Sequence, residues 1–169
     1  MNFLFKLLLT INATSWMLIV YAIKEEFTIL SIPPWVLHIA FVILVIGFSL
    51  LTLLLSRFFG EESIQSCKEF SLADNEFLPV YLGYFFVSLS ISNWYTMIAL
   101  YVIVFVFTLL SQTQYFNPAY LLFGYHYYHI TTPNGTSFFV IKWGKVIRNK
   151  DQIELKKLRR INDTTFIEG

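Results

Sequence analysis

The chain has 169 residues, 56% hydrophobic and 19% aromatic, and only 14% of them are charged, where an ordinary soluble domain carries about a quarter. That composition excludes a water-soluble globule, and a net charge of +1 offers no bulk-charge argument for a nucleic-acid binder or an acidic tail. A single cysteine, Cys67, permits neither an intramolecular disulfide nor a thiolate metal cage.

The first uncharged stretch, Leu7 to Ile23, predicts a membrane span over residues 5–23, with Lys6 snorkelling to the headgroups. The second follows Pro33-Pro34-Trp35 and predicts a span over 35–55, because proline suits the first helical turn and tryptophan the interface. After a polar loop from Arg57 to Glu76, no Asp, Glu, Lys or Arg appears until Lys142. The break at Ser90-Ile91-Ser92-Asn93 divides the first half of that run into spans over 77–92 and 94–111. Basic residues then set the orientation. With both ends inside, Lys6, Arg57, Lys68 and every basic residue from Lys142 to Arg160 face the cytoplasm, and only Lys24 faces out. The expected fold is a membrane protein: a bundle of four transmembrane helices at 1–111, N-in/C-in, followed by a small cytoplasmic β-rich subdomain at 112–169.

In that tail, Tyr120–Thr131 and Thr136–Trp143 read as strands around Thr132-Pro133-Asn134-Gly135, where Asn-Gly supplies the positive φ angles of a hairpin turn. Ile153 and Leu155 alternate with charged neighbours, and Thr165-Phe166-Ile167 is a further short apolar run. A unit so small must lean on the membrane domain, on neighbouring copies or on another protein.

No Asp, Glu, Lys or Arg lies at depth in the predicted spans, which counts against proton-coupled transport, voltage sensing and intramembrane metal chemistry. The first span does carry Thr10, Asn12, Thr14 and Ser15. Asn12 and Ser15 share a helix face, and an amide in a dry bilayer needs partners that four short helices offer sparingly. Asn12 and Ser15 are therefore expected at the contact of a homo-oligomer. His126 and His129 fall on opposite faces of a strand and cannot easily share a metal. In the tail, Tyr125, Tyr128 and Trp143 stand with Lys156, Lys157, Arg159 and Arg160 as the expected docking surface for a soluble partner, since aromatic and Arg side chains carry hot-spot energy and basic charge steers encounter. The same basic segment could hold anionic lipid or simply set the topology. The sequence has no Gly-rich phosphate loop, nucleophile elbow, HExxH or paired-carboxylate catalytic constellation, so neither an enzyme, a cofactor nor direct nucleic-acid binding is expected.

Four short spans, the exit Phe116-Asn117-Pro118, then Leu121-Leu122-x-Gly124-Tyr125-x-x-Tyr128 and a Gly135 hairpin into Phe139-Val140-Ile141, resemble KwaA, the membrane subunit of the bacterial Kiwa anti-phage system. The resemblance implies a homo-oligomeric inner-membrane sensor or scaffold that perceives phage attachment or membrane disturbance and works with a cytoplasmic effector, KwaB. It implies no active site. Two rivals share the same economy of chemistry: a bacteriocin-immunity protein binding a pore-forming toxin in the bilayer, and a small channel or transporter subunit.

Overall fold

The computed structural model describes residues 3–28, 32–63, 67–111, 116–147, 158–162 and 164–168. Each of the four apolar stretches is helical: α1 (Phe3–Lys24), α2 (Pro34–Ser56), α3 (Phe77–Ser90) and α4 (Trp94–Leu110). Local chemistry sets their starts. Extended Pro33 precedes α2 with Pro34 in its first turn, and the Asn93 side chain accepts the Thr96 N–H at 2.8 Å to cap α4. α1 and α2, at 22 and 23 residues, are long and apolar enough to cross a membrane, whereas α3 and α4 have 14 and 17.

α1 is the hub. It packs against α2, α3 and α4, which have at most marginal contact with one another among the described residues. Accordingly α1 is buried around its circumference from Phe5 to Ala22, while α3 buries Tyr81 and Ser88 and α4 only Met97. The most polar helix is thus enclosed by the most apolar ones, whose outer faces expose Ile39, Ile43 and Leu54 on α2 and Ile98, Val102 and Phe107 on α4.

Six strands form one sheet in the order β1-β5-β6-β4-β3-β2: β1 (Glu61–Glu62), β2 (Glu69–Leu72), β3 (Tyr125–Thr131), β4 (Ser137–Trp143), β5 (Leu158–Arg160) and β6 (Thr165–Glu168). β3 and β4 make the expected hairpin in register Tyr125↔Trp143 to Thr131↔Ser137, with Gly135 at φ +80° in the turn. Pairing of β4 with β6 is parallel and the other pairs are antiparallel.

Two sequence expectations are corrected. The loop from Arg57 to Glu76 supplies β1 and β2, so the sheet recruits chain from before α3 as well as from the tail. Residues Pro118–Leu122 form a short helix, α5, instead of the start of a strand. Asn117 accepts the Ala119 N–H at 3.0 Å and Pro118 follows in the first turn, which is a helix start. The strand begins only after Gly124, at φ +77°. Ile153 and Leu155 lie outside the described residues.

Strand alternation gives the sheet two apolar faces. Tyr127, Phe139, Ile141 and Ile167 pack with Phe5, Leu9, Leu53, Tyr81, Phe116 and Tyr120 of the helical region. Tyr128, Ile130, Val140, Leu158 and Phe166 form a second cluster with Ile147. The sheet therefore leans directly on the helices, and the first of these clusters joins the two regions.

Candidate functional site

The junction between helices and sheet is held by a buried polar network. Ser49, Thr52 and Ser56 recur at helical spacing on α2, and all three are buried, so one face of an otherwise apolar helix presents hydroxyls. The first two meet Asn12 of α1. Ser49 Oγ donates to Asn12 Oδ1 at 2.8 Å, and Asn12 Nδ2 donates to Thr52 Oγ1 at 3.2 Å. Thr52 Oγ1 lies 2.8 Å from the Tyr120 hydroxyl on α5.

Asn117, the α5 cap, extends the network to the sheet. Its Nδ2 donates to Ser49 Oγ at 2.8 Å, while its Oδ1 accepts from Trp16 Nε1 on α1 at 3.2 Å and from its own helix's first turn. Its backbone is clamped twice by one phenol: Asn117 N–H donates to the Tyr127 hydroxyl at 2.9 Å, which donates back to the Asn117 carbonyl at 2.8 Å. Hydrogen bonds therefore run from the middle of α1 through α2 and the α5 cap into β3. Asn12, Asn117, Tyr120 and Tyr127 are at most 2% exposed. In such an environment each unmet group costs about 1–3 kcal/mol, so the members constrain one another.

Burial sets the electrostatics of the two phenols. It pushes the Tyr120 hydroxyl up to about 12, against a smaller opposing effect of the Thr52 bond. Burial likewise raises Tyr127 well above the usual tyrosine value, against the backbone bond from Asn117. Both stay neutral and act as hydrogen-bonding groups.

Carboxylates brace the same strand from outside. Asp74, just before α3, lies 2.6 Å from His126 Nδ1 and accepts the Tyr127 N–H at 2.7 Å. Glu76 lies 2.9 Å from His129 Nε2. The two histidines engage separate acids, as their opposite placement along the strand requires.

Of the residues the sequence singled out, Asn12 sits in the network with its amide satisfied inside one chain. Ser15 Oγ donates to the Asn12 carbonyl at 2.9 Å within α1. Both residues therefore have hydrogen-bond partners within one chain. Tyr128 is 2% exposed, and its hydroxyl accepts the Ile147 N–H at 3.0 Å, so it belongs to the outer-face core and not to a surface. Tyr125 is half-buried and Trp143 is exposed. Arg159 pairs with Glu61 at 3.6 Å and Arg160 with Glu62 at 3.9 Å. Lys156 and Lys157 lie outside the described residues. Sequence reasoning missed Ser49, Thr52 and Asp74, and the signal for the first two was the i, i+3, i+7 spacing of Ser49, Thr52 and Ser56 in α2.

The amides, hydroxyls and indole of this network bond to one another and so hold positions. Fold and network together define a helical-bundle protein with a docked sheet, built to keep two regions in a fixed relation. The chain belongs to the KwaA family of anti-phage proteins: the family described as "Anti-phage protein KwaA" matches residues 5–167. The likeness seen between Phe116 and Ile141 thus extends over nearly the whole chain, and the protein is a component of anti-phage defence. No curated protein and no solved structure matches it.

Proposed function

We propose that this chain is the membrane-embedded sensor and scaffold subunit of an anti-phage complex, crossing the inner membrane four times with both ends cytoplasmic and passing bilayer disturbance to a soluble effector. The observation that carries the reading is the unbroken hydrogen-bonded path from Asn12 through Ser49 and Asn117 to Tyr127. A change in how α1 meets α2 alters the α5 cap, and through it strand β3. The exposed apolar faces of α2 and α4 suit lipid or further copies of the chain, and the described basic residues Lys142, Arg159 and Arg160 lie in strands of the sheet, as the positive-inside rule asks if the sheet is cytoplasmic. At about 1.5 Å per residue α3 and α4 fall short of a hydrocarbon core of about 30 Å, so the bundle would be sensitive to local thickness.

Membership of an anti-phage family favours this reading over toxin immunity or a channel. In it the effector, a KwaB-like protein, docks on the sheet beside Arg160, and copies associate through the outer helix faces. The test is a Ser49→Ala/Thr52→Val double variant in cells carrying the complete system. Protection in a plaque assay should fall by about tenfold, the effect of losing roughly 1.4 kcal/mol of coupling, while membrane localisation and effector co-purification persist. Full protection would overturn the relay.

A further inference from the structure

A second site lies at the end of the β3–β4 pair that faces the helices. Arg57, Tyr125, Lys142, Trp143 and Glu168 line a cleft of about 610 Å³. The two cations in it differ. Lys142 is paired with Glu168, whereas Arg57 is exposed and no ion pair among the described residues engages it. Arg57 is the C-cap of α2, where its backbone N–H meets the Leu54 and Leu55 carbonyls, so the backbone that carries its guanidinium is anchored at the end of that helix. Among its described lining residues the cleft thus carries one uncompensated positive charge, which matches the net single negative charge of an anionic phospholipid headgroup; a zwitterionic headgroup has the same phosphodiester but brings its own cation. A guanidinium suits the phosphodiester because it can donate two parallel bonds to its oxygens.

The surroundings are those of a membrane interface. Trp143 is 64% exposed, yet its indole is aimed by a bond from Nε1 to the Phe123 carbonyl at 3.2 Å. Phe58, next to Arg57, is 86% exposed, and Leu122, next to Phe123, is 71% exposed. A soluble anion would leave these apolar side chains in water, while a lipid would cover them with its acyl chains as its phosphate met Arg57.

We propose that this cleft binds the phosphate of an anionic phospholipid headgroup, with Arg57 as its main ligand, Lys142 held in place by Glu168 as the second, and Trp143 and Tyr125 at the glycerol level. The proposal rests on the membrane reading above and assigns Tyr125 and Trp143 to lipid instead of to the soluble partner.

The experiment is native mass spectrometry of the full-length protein with added phosphatidylglycerol or phosphatidylcholine. The wild type should retain phosphatidylglycerol about fivefold better, the effect of one cation near the surface, and Arg57→Gln should bring the two lipids to parity. Lys68→Gln, which removes a cation elsewhere on the same side, should leave the preference intact. Equal retention of both lipids by the wild type, an unchanged Arg57→Gln, or an equal loss in Lys68→Gln would each overturn the site. Displacement of the lipid by glycerol phosphate at matched concentration would mark a site for free phosphate esters and overturn the lipid assignment. Carbonate extraction of cell membranes reads the parent proposal separately. A chain that stays in the bilayer without a lipid preference sinks only this site, and a chain released by carbonate sinks both.

Discussion

The two sides of α1 are built from different physics. Towards α2 and α5 it meets directional partners: Asn12, Ser49, Thr52, Asn117 and Tyr120 satisfy one another at 2.8–3.2 Å, spacings typical of hydrogen bonds. Towards α4 it meets Met97 with Met17 and Tyr21, and Tyr21 stands edge-on to Trp94 with centroids 4.6 Å apart; the Thr14–Tyr101 bond lies at the margin. Directional bonds fix a register, because a small slide leaves donors and acceptors unmet. Thioethers and rings tolerate a slide, since methionine repacks with little loss. The α1–α2–α5 seam therefore holds α5 and β3 against the bundle, and the α4 side is where the helices can slide; in the function proposed above, that is the side that would yield to the bilayer.

Substitutions that treat the two seams alike should have unlike effects. Asn117→Ala removes the partner of Ser49, of Trp16 and of the Ala119 N–H, and should cost about 3 kcal/mol at the rate of roughly 1 kcal/mol or more per orphaned group. Thermal unfolding of the full-length protein in detergent reads it, and a loss near zero would break the distinction between seams.

Alkali attacks the same seam. Tyr120 titrates at about 12 when folded and near 10 when unfolded, so the unfolded chain releases its proton first as pH rises. The stability this group contributes is complete below pH 10 and drains away between 10 and about 12, at up to about 1.4 kcal/mol per pH unit. Tyr120→Phe should flatten that part of the profile.

Asn12→Leu should cost about 1–2 kcal/mol and, because Asn12 finds its partners within the chain, should leave oligomer mass unchanged. A change in mass would restore the contact between copies that the isolated sequence suggests. Met97→Leu, on the yielding side, conserves volume and should cost less than about 1 kcal/mol.

The sequence makes one of these seams half visible. Asn12 stands out because a carboxamide inside an uncharged stretch is conspicuous, and the four helices are legible because hydrophobic runs bounded by Pro, Trp and Asn have few alternatives. Ser49 and Thr52 are harder to see, since hydroxyls in a helix satisfy themselves on the preceding turn, as both do here, and their second partners are set by packing. α5 was hidden by its aromatic and leucine content, which reads as strand unless Asn117-Pro118 is taken as a cap. β1 and β2 were illegible for another reason. β1 has two residues and so no period, β2 only four, and they pair with β5 and β3 through contacts that arise only once distant chain is in place. The charge pairs Glu61–Arg159 and Glu62–Arg160 follow from that register, so the engagement of these two arginines is not visible in the sequence.

The central claim is that the state of the α1–α2 seam reaches the sheet through Asn117. Amide hydrogen exchange at Asn117 reads it directly, because that N–H donates to the Tyr127 hydroxyl and Asn117 is linked to Asn12 through Ser49 in the network. In vesicles, Asn12→Leu should accelerate exchange at Asn117 and along β3 by about tenfold relative to wild type, matching roughly 1.4 kcal/mol of lost coupling. Exchange at Asn117 that is identical in the two proteins, with the Asn12 substitution confirmed to loosen α1 against α2, would contradict the account.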